Sequence, residues 1–267
     1  MTQELSLAQV REVFKNEQID IFLNDIYNLS NSHKSRQLYR QILYSFNRFC
    51  LLTYDRNFIE MIEDLKQNPL ENTLDTLLEY KRYLDEKITK SGRGISNSTK
   101  RVQLSVLKNF FRSYGIKIHH EDIRDHIKIG RKMRVQKFPL DSQIVFKIII
   151  KVNKFQYKAL TVLLASTGMR VMEAITLQPS DFDFSSNPVC IRIRPRETKT
   201  NEGRTVYLTS ECAGMIEQII INKQESQTYL FGKSPHPDVI YSAYSRVIRK
   251  ALRELDLYKI LDNGKTR

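Results

Sequence analysis

Apolar residues recur at helical spacing through most of this chain. In residues 36–52, 74–90 and 98–114 they lie at i, i+3, i+4 and i+7, which makes one side of each predicted helix apolar. The third of these helices begins at Asn97 or Ser98 and stops at Gly115, a favourable residue after a helix end. After a cap at Asp141 or Ser142, helical patterns occupy residues 142–152, 155–168, 170–177, 210–222 and 238–255.

The apolar period changes to two in a single region. Val189, Ile191 and Ile193 alternate with other residues, which predicts a half-buried strand. The loop PRETKTNEG then leads into RTVYLT, residues 204–209, as a returning strand with Gly203 near the turn. We therefore predict a mainly α fold with a small antiparallel β-hairpin or sheet.

A basic stretch divides the chain. Residues 124–139, RDHIKIGRKMRVQKFP, hold six Lys or Arg residues against one acid, and Gly130 and Pro139 disfavour a continuous helix. We predict a basic linker here between two domains. The predicted limits are an N-terminal extension at 1–29, a helical domain at 30–117, the linker at 118–138 and a second domain at 139–267.

The net charge indicates the class of partner. The 267 residues include 43 Lys and Arg against 30 Asp and Glu, a net charge of +13, which favours a polyanion such as nucleic acid. No apolar run is long enough to span a bilayer, and the first residues do not resemble a secretory signal. Cys50, Cys190 and Cys212 are far apart without a CxxC pair, as in reducing compartments. We expect a cytoplasmic protein with no membrane partner.

Two clusters of polar residues each have two interpretations. The three histidines of HHEDIRDH, residues 119–126, suggest a metal, but their spacing does not clearly place them on one helix face. A solvated polar segment is the favoured interpretation, and we predict no metal site. Arg101, Lys108 and Arg112 form a stripe beside the apolar side of their helix. That stripe is either a solvated face or a surface that grips phosphates.

The segment ASTGMRVMEAITL, residues 165–177, interrupts an apolar helix and restarts with an arginine. Arg170 is costly to bury without a partner, and Glu173 follows three residues later. An isolated pair of this kind is often only a helix salt bridge. Lys199, in the hairpin loop, is by itself typical of a solvated turn residue.

Taken together and in this order, the motifs resemble the tyrosine recombinase (phage integrase) family. STGMRVMEAITLQPSDFDF resembles that family's first arginine motif, and TKTNEGRTVYLT is similar to its K-T-x-x-x-R-x-V-P-L hairpin. The resemblance implies a two-domain clamp on duplex DNA, with a helical core-binding (SAM-like) domain and a partial recombinase catalytic domain. It also implies a nucleoid-associated protein that acts in DNA recombination or integration.

The resemblance implies roles for individual residues. Arg170 would hold the scissile phosphate, and Lys199 would donate a proton to the departing 5′ oxygen. Gly168 would allow the sharp turn that points Arg170 into the site, and Glu173 would orient the arginine or its neighbours. No metal or other cofactor is implied, since a phosphotyrosine intermediate conserves the bond energy. Residues expected to contact the DNA backbone are Arg101, Lys108, Arg112, Arg131, Lys132 and Arg134.

The sequence also departs from the family pattern. No H-x-x-R follows Arg170, and His236 is followed three residues later by Val239. The tyrosines at 241, 244 and 258 are nucleophile candidates by residue type only, and packing or exposure explains them better. We therefore expect a monomeric chain that binds DNA without cleaving it, whereas the complete form would assemble with other protomers. The alternatives are a non-catalytic regulator derived from an integrase and a basic RNA-binding or scaffold protein.

Overall fold

The computed structural model describes residues 16–67, 71–89, 92–131, 140–195, 202–225 and 227–257. The chain separates into two compact units, one within residues 1–135 and one within residues 136–267. Each unit has its own apolar core, and none of the described residues belongs to both. The predicted mainly α fold with a small antiparallel sheet is confirmed.

The N-terminal unit is helical. Its aromatic centre contains Phe46, Phe49, Tyr80 and Phe110, and Tyr80 donates a hydrogen bond to Gln103 Oε1 at 2.5 Å. The predicted helices 36–52, 74–90 and 98–114 are present with slightly different bounds, because caps and turns fix the ends. The described helices are α1 (Glu17–Ser30), α2 (His33–Tyr54), α3 (Phe58–Gln67), α4 (Glu71–Glu86), α5 (Asn97–Ser113) and α6 (His120–His126).

Two segments that the sequence assigned outside the helical domain contribute to its core. Helix α1, from the predicted extension, packs on α2 and buries Ile19, Phe22 and Leu23. Helix α6, from the predicted linker, packs on α4, and Ile123 and Ile127 are both under 9% exposed. In α1, Ile19, Phe22, Leu23 and Ile26 follow the i, i+3, i+4 and i+7 spacing of a helix, which the sequence prediction overlooked. Helix α6 has only seven residues and one apolar residue, Ile123, so periodicity cannot mark it.

The C-terminal unit combines helices with a three-stranded antiparallel sheet in the order β1-β2-β3. The strands are β1 (Phe182–Asp183), β2 (Cys190–Ile193) and β3 (Arg204–Tyr207), and Ile193 pairs with Arg204 across the hairpin. Ile191 and Ile193 face the core, as their alternation predicts. The described helices are α7 (Ser142–Lys151), α8 (Phe155–Thr167), α9 (Val171–Ile175), α10 (Ser210–Ile221) and α11 (Pro237–Glu254).

Candidate functional site

Arg170 lies at the break between two helices of the C-terminal unit. Helix α8 ends at Gly168, which has a left-handed φ of 64°, and the Gly168 N–H donates to Leu164 O at 3.1 Å. Two residues later Arg170 is the N-cap of α9. Its backbone N–H donates to Glu173 Oε2 at 3.0 Å, as in one half of a capping box. The turn at Gly168 therefore places the Arg170 side chain at the start of α9.

The Glu173 carboxylate is shared by two arginines. Its side chain is only 2% exposed, and Oε1 accepts a hydrogen bond from Arg170 Nη1 at 2.7 Å. Arg204, the first residue of β3, donates from Nη2 to Oε2 at 2.6 Å and from Nη1 to Oε1 at 3.4 Å. The side chains of Arg170 and Arg204 remain 56% and 38% exposed. A buried carboxylate thus holds two guanidinium groups near the surface.

This cluster carries a net positive charge. Burial disfavours ionisation of Glu173, but the hydrogen bonds from Arg204 and Arg170 outweigh it and hold the pKa of the carboxyl below its ordinary value. One anion and two cations leave one positive charge facing solvent. A guanidinium has five donors, and among the described contacts Arg170 uses only Nη1 of its side chain. The arrangement can therefore bind an anion such as a phosphate.

A second ion pair attaches the sheet to the same region. Arg194, just after β2, places Nε 3.2 Å from Asp181 Oδ1 and donates from Nη2 to Thr176 O at 3.0 Å. Asp181 is only 7% exposed and also accepts from the Gln178 N–H at 2.8 Å. The hairpin is therefore tied to the α9 segment through both Arg194 and Arg204.

Sequence reasoning missed Arg204 and Arg194 as parts of this site. Both arginines lie in the hairpin pattern, but their partners are remote in sequence. Glu173 is 31 residues from Arg204, and Thr176 is 18 residues from Arg194. The local signal for Arg204 is the arginine position of the K-T-x-x-x-R-x-V-P-L pattern, and the signal for Arg194 is its place after the buried Ile193 at a strand end. Such a signal cannot identify a partner.

Some predicted site residues lie outside the described part of the chain. Lys199 falls within residues 196–201, and Lys132 and Arg134 fall within residues 132–139. Their assigned roles remain predictions. The structure brings together Gly168, Arg170 and Glu173.

The predicted basic stripe lies on α5 of the N-terminal unit. Arg101 is exposed and donates from Nη2 to the carbonyl oxygens of Ile129 and Gly130, both at 3.0 Å. Arg101 and Lys108 also line a groove of about 560 Å³ between α5 and the α6 segment, whereas Arg112 is exposed outside it. Other charged residues at this groove are Arg124, Asp125 and Lys128, and its apolar side includes Leu104, Ile123, Ile127 and Ile129.

Arg131 lies at the end of the same described segment. It is exposed, and its carbonyl oxygen accepts a hydrogen bond from Asn97 Nδ2 at 3.3 Å. Arg101 and Asn97 thus hold residues 129–131 of the predicted linker against α5. The two cations Arg101 and Arg131 are brought to the same end of that helix.

The tyrosine candidates differ in environment. Tyr244 is 7% exposed, lies 3.2 Å from Thr161 Oγ1 and packs edge-on against Tyr157. Burial raises the pKa of its hydroxyl, which disfavours a nucleophilic phenolate. Tyr241 is 39% exposed on α11, and Tyr258 lies outside the described residues.

Within the described ranges, no group of three or more His, Cys, Asp or Glu side chains is placed to hold a metal ion. His126 instead lies 3.0 Å from Asp75 Oδ1. No helix in the described residues has both the length and the apolar character needed to cross a membrane.

Comparisons with known proteins identify related sequences and folds. The sequence model of the phage integrase family matches residues 141–267. A search of curated protein sequences found no match. The chain resembles the Tn1549 transposon integrase solved with transposon right end DNA, at 17% identity and a TM-score of 0.54, over 84% of this chain and 82% of that one. It also resembles the XerH site-specific recombinase bound to difH substrate in a pre-cleavage complex, at 15% identity and a TM-score of 0.53, over 92% of this chain and 73% of that one. At these identities the structural matches establish the fold.

Proposed function

Because the phage integrase family model matches residues 141–267, we propose that this chain is a site-specific recombinase-type protein that binds duplex DNA. The site would grip one backbone phosphate with Arg170, and Lys199 would lie beside the same phosphate. The observation that carries the proposal is the shared carboxylate of Glu173, which holds Arg170 half-exposed at a helix start. The solved relatives named above were studied with their DNA substrates, which supports the same partner here.

The chemistry of phosphate binding fits these residues. A guanidinium presents two parallel donors to two phosphate oxygens, and its charge stabilises the added negative charge of a pentacoordinate transition state. The N-terminus of α9 adds a partial positive charge, although so short a helix contributes little. Neither interaction requires a metal ion.

In a complete enzyme of this family, the bond changes would be as follows. A tyrosine oxygen attacks the scissile phosphorus as its hydroxyl proton passes to a general base, and the bond from phosphorus to the 5′ oxygen breaks. The departing 5′ oxygen takes a proton from the Lys199 ammonium group, and a 3′-phosphotyrosine remains. Residues 171–267 contain neither an H-x-x-R motif nor a tyrosine in a recognisable nucleophile motif. The polypeptide of 267 residues is therefore proposed to bind DNA without cleaving it.

The N-terminal unit supplies further phosphate contacts in this proposal. Arg101, Lys108, Arg112 and Arg131 lie on or beside α5, and the proposal adds Lys132 and Arg134 from the segment that follows. Contacts to the backbone would set the position of the protein on DNA without reading base sequence. Two basic units joined by a basic segment would together clamp the duplex, and complete protomers would assemble on it.

Duplex binding and its dependence on Arg170 test this proposal. The chain should bind DNA duplexes selected from a random pool. The logarithm of the association constant should fall steeply and linearly with the logarithm of the salt concentration. Arg170→Gln should weaken binding about tenfold and reduce the salt slope by about one. The matched control is Arg192→Gln, which removes the same charge from β2, where Arg192 is 75% exposed and pairs with Asp183 at 3.0 Å. Equal effects of the two substitutions would contradict the phosphate role of Arg170.

Further outcomes separate the alternatives. Preference for structured RNA over every selected duplex would favour an RNA-binding protein. A covalent adduct trapped by a half-site suicide substrate would contradict the absence of cleavage. The second candidate is a non-catalytic regulator derived from an integrase. Coding DNA beyond codon 267 discriminates, since H-x-x-R followed by a tyrosine supports the enzyme and a stop codon supports the regulator.

A further inference from the structure

We propose that Arg204 is a positioning residue for Arg170 and acts through the buried carboxylate of Glu173. Arg204 fixes Glu173, and Glu173 in turn fixes the guanidinium that would meet the DNA phosphate. This inference rests on the proposed function of Arg170 and assigns a role to a residue that does not itself touch DNA.

The hydrogen-bond geometry distinguishes the two arginines. Arg204 directs both Nη atoms at the Glu173 carboxylate, one to each oxygen, at 3.4 and 2.6 Å. That two-pronged contact turns its fork towards the protein. Arg170 gives the same carboxylate only Nη1, and its side chain is the more exposed, at 56% against 38%. Arg170 therefore has donors to offer a phosphate, whereas Arg204 uses its fork internally.

Burial makes Glu173 dependent on both partners. A carboxylate that is 2% exposed has lost nearly all contact with water and needs compensating donors to remain ionised. Without Arg204, its Oε2 would keep only the backbone N–H of Arg170 among the described contacts. The carboxylate would then gain freedom to rotate or to take up a proton. In either case the Arg170 side chain would lose its fixed partner.

Arg204 is also the first residue of β3, the strand that follows Lys199 in the sequence. It pairs with the buried residue Ile193 in the β2-β3 ladder and follows Lys199 by five positions in sequence. The neighbouring Arg194 ties the other strand to Asp181. The Glu173 carboxylate thus connects β3, which follows Lys199 in sequence, to the start of α9 at Arg170.

A double-mutant cycle on DNA affinity tests the inference. The variants are Arg204→Gln, Arg204→Lys and Arg170→Gln, alone and in combination, measured on one selected duplex at fixed salt. Arg204→Gln should weaken binding about threefold to tenfold in the parent chain and less than about twofold when Arg170 is already replaced. Arg204→Lys keeps the charge but replaces the two-pronged guanidinium by a single donor atom, so its loss should be intermediate. Arg192→Gln is the control, and its small effect should be the same in both backgrounds.

The outcomes separate this inference from the function on which it rests. If Arg204→Gln costs the same factor with and without Arg170, Arg204 contacts DNA independently and the positioning role is overturned. If Arg170→Gln alone has no more effect than Arg192→Gln, the phosphate site and the inference fail together. Thermal unfolding of each variant identifies misfolded protein. Should Arg204→Gln fail to fold, the cycle is read from Arg204→Lys, for which equal losses in the two backgrounds again overturn the role.

Discussion

At the scale of single residues, Glu173 shows how burial and ion pairing oppose each other. The carboxylate is almost fully buried, and burial alone would favour its neutral form. Two guanidinium groups and a backbone N–H reverse that preference, so the pKa of Glu173 lies below the ordinary value of 4.5. The pKa shift therefore couples the geometry of the site to the stability of the C-terminal unit.

The sign of this coupling gives a prediction for Glu173→Gln. A carboxyl whose pKa is lowered on folding contributes stability above its unfolded pKa, near 4.5, and loses that contribution as the pH falls through the lower folded pKa. At neutral pH the variant should be less stable by about 1–2 kcal/mol, a modest figure because both arginines are partly in water. Urea unfolding followed by circular dichroism should show that difference shrinking below about pH 4.5. A difference that grows on acidification would contradict the lowered pKa.

At the scale of elements, local features were predictable and remote contacts were not. The predicted stop of α5 at Gly115 is confirmed, since Gly115 has a left-handed φ of 87°, and the predicted cap at Asp141 accepts from the Ile144 N–H. Both depend on neighbouring residues only. The link between Arg204 and Glu173 depends on how the sheet packs against α9, which no local pattern encodes. The phosphate role predicted for Arg170 came from motif resemblance, and the structure adds the contacts of Arg170 with Glu173.

The turn between α8 and α9 gives a prediction with an internal control. Gly168→Ala should destabilise the chain by about 1 kcal/mol, because φ is 64° there and an added Cβ would meet nothing within 4 Å, so that only backbone strain changes. Gly214→Ala lies inside α10, where a Cβ also has open space and φ is not left-handed, and should stabilise by about 0.5–1 kcal/mol. Thermal unfolding should move in opposite directions for the two variants. Shifts of the same sign would show that Gly168 is not needed for its conformation.

At the scale of the whole molecule, the residues of the N-terminal core show how far that unit extends along the chain. The sequence predicted a linker from residue 118, because cations dominate the stretch that follows. Yet Ile118, Ile123 and Ile127 are 8%, 8% and 3% exposed and belong to the core of the N-terminal unit. The hydrogen bonds of Arg101 to the carbonyl oxygens of Ile129 and Gly130 hold the chain to α5 beyond that point. A basic stretch therefore continues the fold of this unit.

Two fragments test that extent directly. A fragment of residues 1–131 contains every residue of the N-terminal core, so it should fold alone and unfold cooperatively. A fragment of residues 1–117 lacks the three buried isoleucines, each worth about 1.5–3 kcal/mol, and should melt at least about 10 °C lower. Ile123→Ala in the longer fragment should reproduce part of that loss, at about 2–4 kcal/mol, because it removes core volume without shortening the chain. Equal melting temperatures for the two fragments would place the domain end at 117, since α6 would then add nothing to the core.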